Sequence, residues 1–213
     1  SGLDSPLLDL LNARYLLVPA TIPPGRPDLE RLVGQHPTVY ADNEVRVLEN
    51  REVLPRAWIV HEGRQVTTPA EALGLLASGA VDPRTVALLE EALPALVPEA
   101  DPTGDRASVL TYEPDRLRVQ TSTTSPGLLV LSEAAYPAWQ ASVDGEPAPI
   151  LTANALLRAI PVPAGEHTVE LRYESATLQM GTVISLLAFL GLLGLWIAAG
   201  WRRHPRSGAP RES

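Results

Sequence analysis

The spacing of apolar positions divides this chain into three regimes. Over the first ninety residues short apolar runs alternate with capping and turn signals. Pro6–Ala13 predicts a short helix capped by Ser5, Arg14–Val18 a strand and Pro27–Gly34 a second helix. Thr38–Tyr40 and Val45–Leu48 predict a hairpin around Asp42-Asn43, and Ala57–Val60 a further strand. Thr68-Pro69-Ala70-Glu71 opens a helix with a hydroxyl cap, a proline in the first turn and an acid at the positive end of the dipole. Asp82-Pro83 repeats that device and predicts a helix over Arg84–Leu93. Residues 1–92 thus read as a small α+β lobe. Residues 93–106, LPALVPEADPTGDR, carry three prolines and a glycine among acids and read as a linker.

After that linker the period becomes two. Leu117 and Val119 alternate with arginines and Gln120; Trp139, Ala141 and Val143 alternate with Gln140 and Ser142; Val169, Leu171 and Tyr173 alternate with Thr168, Glu170 and Arg172. Leu128–Leu131 is a continuous apolar run. Asp144-Gly145 suits a two-residue primed turn and Pro163-Ala164-Gly165 a second reversal. About seven short strands fit between Ala107 and Tyr173, so residues 107–174 are expected to form an antiparallel β-sandwich.

The third regime is apolar throughout. Ser175 to Trp201 holds 27 consecutive uncharged residues, enough for a helix across a hydrocarbon core of about 30 Å, and a transmembrane helix is expected over residues 178–201. Trp201-Arg202-Arg203 resembles an interfacial anchor. Arg202, Arg203, Arg206 and Arg211 follow the span, which predicts a cytoplasmic basic tail at 202–213 and an extracytoplasmic position for residues 1–174. The chain begins without a basic and apolar leader, so an upstream segment that exports the domain is expected.

Composition narrows the chemistry. All seventeen basic residues are arginine, and residues 1–174 hold 13 of them against 24 Asp and Glu, a net of −11 that disfavours nucleic acid as a partner. Without cysteine, disulfides, thiolate metal sites and thiol catalysis are excluded. His36, His61, His167 and His204 lack metal-ligand spacing, and nucleophile-elbow and phosphate-loop motifs are absent, so neither a catalytic constellation nor a cofactor is expected. One stretch stands out, LSEAAYPAWQASVDGE at 131–146. Trp139 shares a face with Ala141 and Val143 and is expected inside the sheet. Tyr136, held extended before Pro137, is expected at the rim, where its ring is a candidate glycan contact.

The series Arg14–Val18, Val39-Tyr40, Leu48–Asn50, Pro55–Ala57, Leu131–Trp139, Val143–Gly145 and Val162–His167 resembles the C-terminal portion of the YfhO family of bacterial membrane proteins. The resemblance implies a polytopic, GT-C glycosyltransferase-like parent that adds sugars to envelope polymers from polyprenyl-phosphate-linked donors. It implies no catalytic residue here, because the acidic loop of such enzymes lies near their first helices. This chain is then expected to position an acceptor or brace upstream transmembrane helices, with the bilayer, an envelope glycan or a lipid-linked sugar as partners. The alternative is a stand-alone membrane-anchored scaffolding protein without enzymatic activity.

Overall fold

The computed structural model describes residues 7–91, 104–174 and 176–202; on the last helix the described side chains are those of 180–182 and 184–196. The chain forms two compact units, Ser1–Tyr173 and Glu174–Ser213.

The first unit contains three sheets. A three-stranded antiparallel sheet joins β1 (Tyr15–Pro19), β3 (Val45–Glu49) and β2 (Thr38–Ala41), in that order. It packs Val18 and Leu48 against Leu29 and Leu32 of α2 (Pro27–Gln35). A six-stranded sheet has the order β4 (Ala57–Val60), β9 (Gly127–Ala134), β13 (Leu157–Val162), β12 (Leu151–Ala153), β6 (Val86–Leu89), β5 (Glu62–Gln65). A five-stranded sheet runs β11 (Glu146–Ala148), β10 (Trp139–Val143), β14 (Gly165–Tyr173), β8 (Arg116–Thr123), β7 (Arg106–Glu113).

Period-two alternation sorts the six-stranded sheet between two cores. Ala57, Ile59, Leu129, Leu131, Ile160 and Val162 face the five-stranded sheet, meeting Leu117, Val119, Ala141, Val169 and Leu171. Trp58, Val60, Leu128, Val130, Leu157 and Ala159 face the other way, toward Leu10 of α1 (Leu7–Leu10) and Ala72 and Leu76 of α3 (Pro69–Ala77). This middle layer is therefore covered on both faces, which is why its strands read as continuous apolar runs.

Two expectations are corrected. The α+β lobe followed by an antiparallel β-sandwich is replaced by one unit in which β4, β5 and β6, from before the expected linker, share a sheet with β9, β12 and β13, from after it. The cause is β9: apolar on both faces, it needs cover on both sides and a strand neighbour, and the N-terminal half supplies them. One pair, β5 with β6, is parallel. Residues 92–103 of the expected linker lie outside the described residues. The helix expected over Arg84–Leu93 is instead strand β6, because Val86–Leu89 is a four-residue apolar run that the sheet buries between β12 and β5, while Asp82 closes a turn onto the Arg84 amide at 2.9 Å.

The second correction concerns the membrane. Residues Ala176–Arg202 form helix α4, but among the described residues no helix is long and apolar enough to cross a membrane, and the transmembrane helix expected at 178–201 is not supported. The tail from 203 onward lies outside the described residues.

Candidate functional site

A cleft of ≈ 350 Å³ opens at one end of the layer between the five- and six-stranded sheets, lined by Tyr112, Glu113, Pro114, Leu117, Glu133, Trp139 and Arg158. Strand parity explains its position. Glu133 continues the Leu129–Leu131 face of β9, and Arg158 continues the Ile160–Val162 face of β13. Both are charged residues at positions that elsewhere hold the apolar core. The register slips beside them, from Leu157 opposite Ala134 to Arg158 opposite Leu131, leaving Ser132 and Glu133 as extra residues on β9. Such an irregularity bends a strand and re-aims its side chains.

One wall is a hydrogen-bonded triad. Arg56 donates from Nη1 to Glu133 Oε1 at 2.5 Å and to the Tyr112 hydroxyl at 3.0 Å, and that hydroxyl donates to the same Oε1 at 2.9 Å. The Arg56 guanidinium also lies 4.4 Å from the centre of the Tyr112 ring. The bond to Glu133 holds the Tyr112 hydroxyl above its usual acidity range, since a phenolate there would face the carboxylate.

The other wall is Trp139 with Arg158. The Arg158 guanidinium sits 4.1 Å from the Trp139 ring centre and its Nε donates to the Ala134 carbonyl at 2.8 Å. Arg158 is only 5% exposed, and burial pushes its pKa down. Trp139 meets Tyr173 edge-on at 5.6 Å, packs partly on the inter-sheet core and gives its remaining surface to the cleft. It is therefore core and cleft wall at once. Ala138, just before it, has φ of 75°, a left-handed conformation that a non-glycine residue adopts at a cost. Tyr136 is 65% exposed and is not among the lining residues; it lies in the connection between Glu133 and Trp139.

The sequence reading missed Arg56, Tyr112, Glu133 and Arg158. The available signal was parity: an acid and an arginine stand in phase with the inward residues of two strands. It also missed a buried cluster. His61 Nε2 lies 2.7 Å from Asp105, while Nδ1 lies 3.1 Å from Ser125 Oγ and 3.0 Å from the Pro126 carbonyl. The nitrogen facing the serine also faces a carbonyl, which accepts a proton and cannot supply one. Together these contacts tie the end of β4 to the β8–β9 turn. At another corner Asp144 and Gly145 both take positive φ, the primed turn expected there, and Asp144 accepts from the Thr168 amide at 2.8 Å and faces His167 Nδ1 at 2.6 Å. His36 joins none of these groups, and His204 lies outside the described residues. Among the described residues there is no cluster of three or more His, Asp or Glu suited to a metal ion.

Residues 90–185 match the model of the family described as bacterial membrane protein YfhO. Over this stretch the chain is similar to that family, whose description is of a membrane protein, and the Leu131–Trp139, Val143–Gly145 and Val162–His167 motifs lie inside it. All seven lining residues of the cleft fall inside the matched stretch. No curated protein and no solved structure matches the chain.

Proposed function

We propose that residues 1–173 bind a sugar in this cleft and so position an envelope glycan, or its lipid-linked precursor, for glycosyl transfer carried out elsewhere in a GT-C-like parent of which this chain is the C-terminal portion. The observation that supports the reading most is the pairing of two aromatic walls, Tyr112 and Trp139, with a carboxylate and a guanidinium, Glu133 and Arg158, around one cleft. A pyranose presents apolar C–H faces and a ring of hydroxyls. Aromatic rings meet the first, and fixed acceptors and donors meet the second. The volume is in the range of small-molecule sites. Tyr136, in the segment between Glu133 and Trp139, adds an exposed ring for a neighbouring sugar unit.

The role of the cleft in this reading is binding, with transfer carried out elsewhere in the parent. In this reading the cleft lies on the extracytoplasmic face, where envelope polymers are built, and its neighbours are the bilayer and the upstream helices of the parent. Calorimetric titration of the full chain with a panel of monosaccharides and envelope oligosaccharides tests it. Saturable binding lost in Trp139→Ala is expected; a flat response across the panel overturns it. A scaffolding protein without sugar affinity is the reading that would then stand.

A further inference from the structure

Arg158 is the feature of the cleft that a neutral sugar leaves unexplained. It is one of the few buried charged residues, and it stands at an inward position of β13. Nε is used by the Ala134 carbonyl, but the terminal nitrogens make no hydrogen bond and no ion pair among the described residues. The carboxylate that acts on it electrostatically, Glu133, has its Oε1 engaged by both Arg56 and Tyr112. The terminal nitrogens therefore face the cleft, where an oxyanion would meet the planar guanidinium fork. Stacking on Trp139 fixes the plane of that fork.

We infer that the cleft selects a sugar bearing an oxyanion, a uronate carboxylate or a phosphate substituent, which Arg158 binds through its terminal nitrogens while the ring lies between Tyr112 and Trp139. The inference rests on the sugar-binding reading above and adds the charge of the ligand to it. Glu113, exposed on the cleft wall, opposes that charge and weakens the interaction.

The test is calorimetric titration of the full chain with glucose, glucuronic acid, glucose 6-phosphate and inorganic phosphate. One or both anionic sugars bind about tenfold or more tightly than glucose. Arg158→Gln removes that preference, bringing the anionic sugars to within about twofold of glucose, with a melting curve to establish that the variant is folded. Glu113→Gln, a substitution at an exposed position, tightens the anionic sugars about two- to threefold relative to glucose, which decides the matter should Arg158→Gln unfold. Equal affinity for glucose and both anionic sugars overturns the inference and leaves sugar binding intact. Inorganic phosphate binding as tightly as glucose 6-phosphate overturns it too, because the site would then be for the anion alone. Absence of binding by every sugar refutes the underlying reading itself.

Discussion

The middle of the six-stranded sheet and the cleft at its end are built from the same strands and obey opposite rules. At Leu129 and Ile160 the five-stranded sheet closes on the side chain and no exposure remains. Four residues further along β9, at Glu133, and two residues back along β13, at Arg158, the inward positions hold charges and the layer opens into a cleft. Apolar burial there would have contributed about 1.5–3 kcal/mol per large side chain. The sandwich forgoes that stabilisation at one end and keeps it elsewhere, which is what separates a binding surface from a packed interior. The two regions should consequently respond differently to substitution.

Leu129→Ala should produce the largest loss of stability, about 3–4 kcal/mol, because the five-stranded sheet is tightly closed over the site and a cavity remains. Urea melts should show this with sugar affinity unchanged in the folded fraction; a change in affinity at equal stability would blur the distinction between interior and cleft. Trp139→Ala should cost less, about 2 kcal/mol, since the ring is only partly buried, and should weaken sugar binding by about tenfold or more. A loss as large as that of Leu129→Ala with affinity preserved would return Trp139 to the interior alone. Tyr112→Phe removes the hydroxyl that joins Arg56 to Glu133 at a site 57% exposed, so stability should fall by about 0.5 kcal/mol while binding declines measurably.

The smallest effect belongs to the Asp144–His167 corner, which serves neither region. Contact with Asp144, together with the Ala164 carbonyl, holds the His167 pKa above its ordinary 6.5, and contact with His167 and the Thr168 amide holds the Asp144 pKa below its ordinary 3.8. The histidine contribution is fully present below pH 6.5 and is lost as pH rises through the raised value; the aspartate contribution is present above pH 3.8 and is lost as pH falls through the lowered one. Melting temperatures of His167→Gln and the parent should therefore differ most between about pH 4 and 6.5 and converge above it, with sugar affinity untouched. A gap that widened above neutral pH would contradict this assignment.

Local signals in the sequence were legible wherever one short stretch carried the whole cause. The Thr68 cap is one case: its hydroxyl accepts from the Glu71 amide at 3.2 Å, opening α3 at Pro69. The Asp144-Gly145 turn and strand Ala57–Val60 are others. What escaped was produced by partners distant in the chain. Val86–Leu89 is a strand because β12 and β5 flank it, and no local period distinguishes four apolar residues in a sheet from one turn of a helix. β9 recruits β4, from more than sixty residues earlier, so a linker-like composition at 93–106 did not mark a boundary between sheets. The His61 cluster gathers residues 44 and 64 positions away. Glu133 and Arg158 were visible as letters, but their significance lay in phase, an inward parity that depends on knowing where each strand begins. For Trp139 the alternation was informative and incomplete: it assigned the ring to the inner face without revealing that the inner layer ends beside it.

The account turns on one claim, that the open end of the sandwich is a receptor for sugar. Its most direct measurement is a calorimetric titration of the full chain, compared across the parent, Trp139→Ala, Tyr112→Phe and Leu129→Ala. Saturable binding in the parent, abolished in the first, weakened in the second and intact in the third, is the predicted result. Binding that survives Trp139→Ala and Tyr112→Phe unchanged, or that is absent from the parent for every sugar tried, would contradict it.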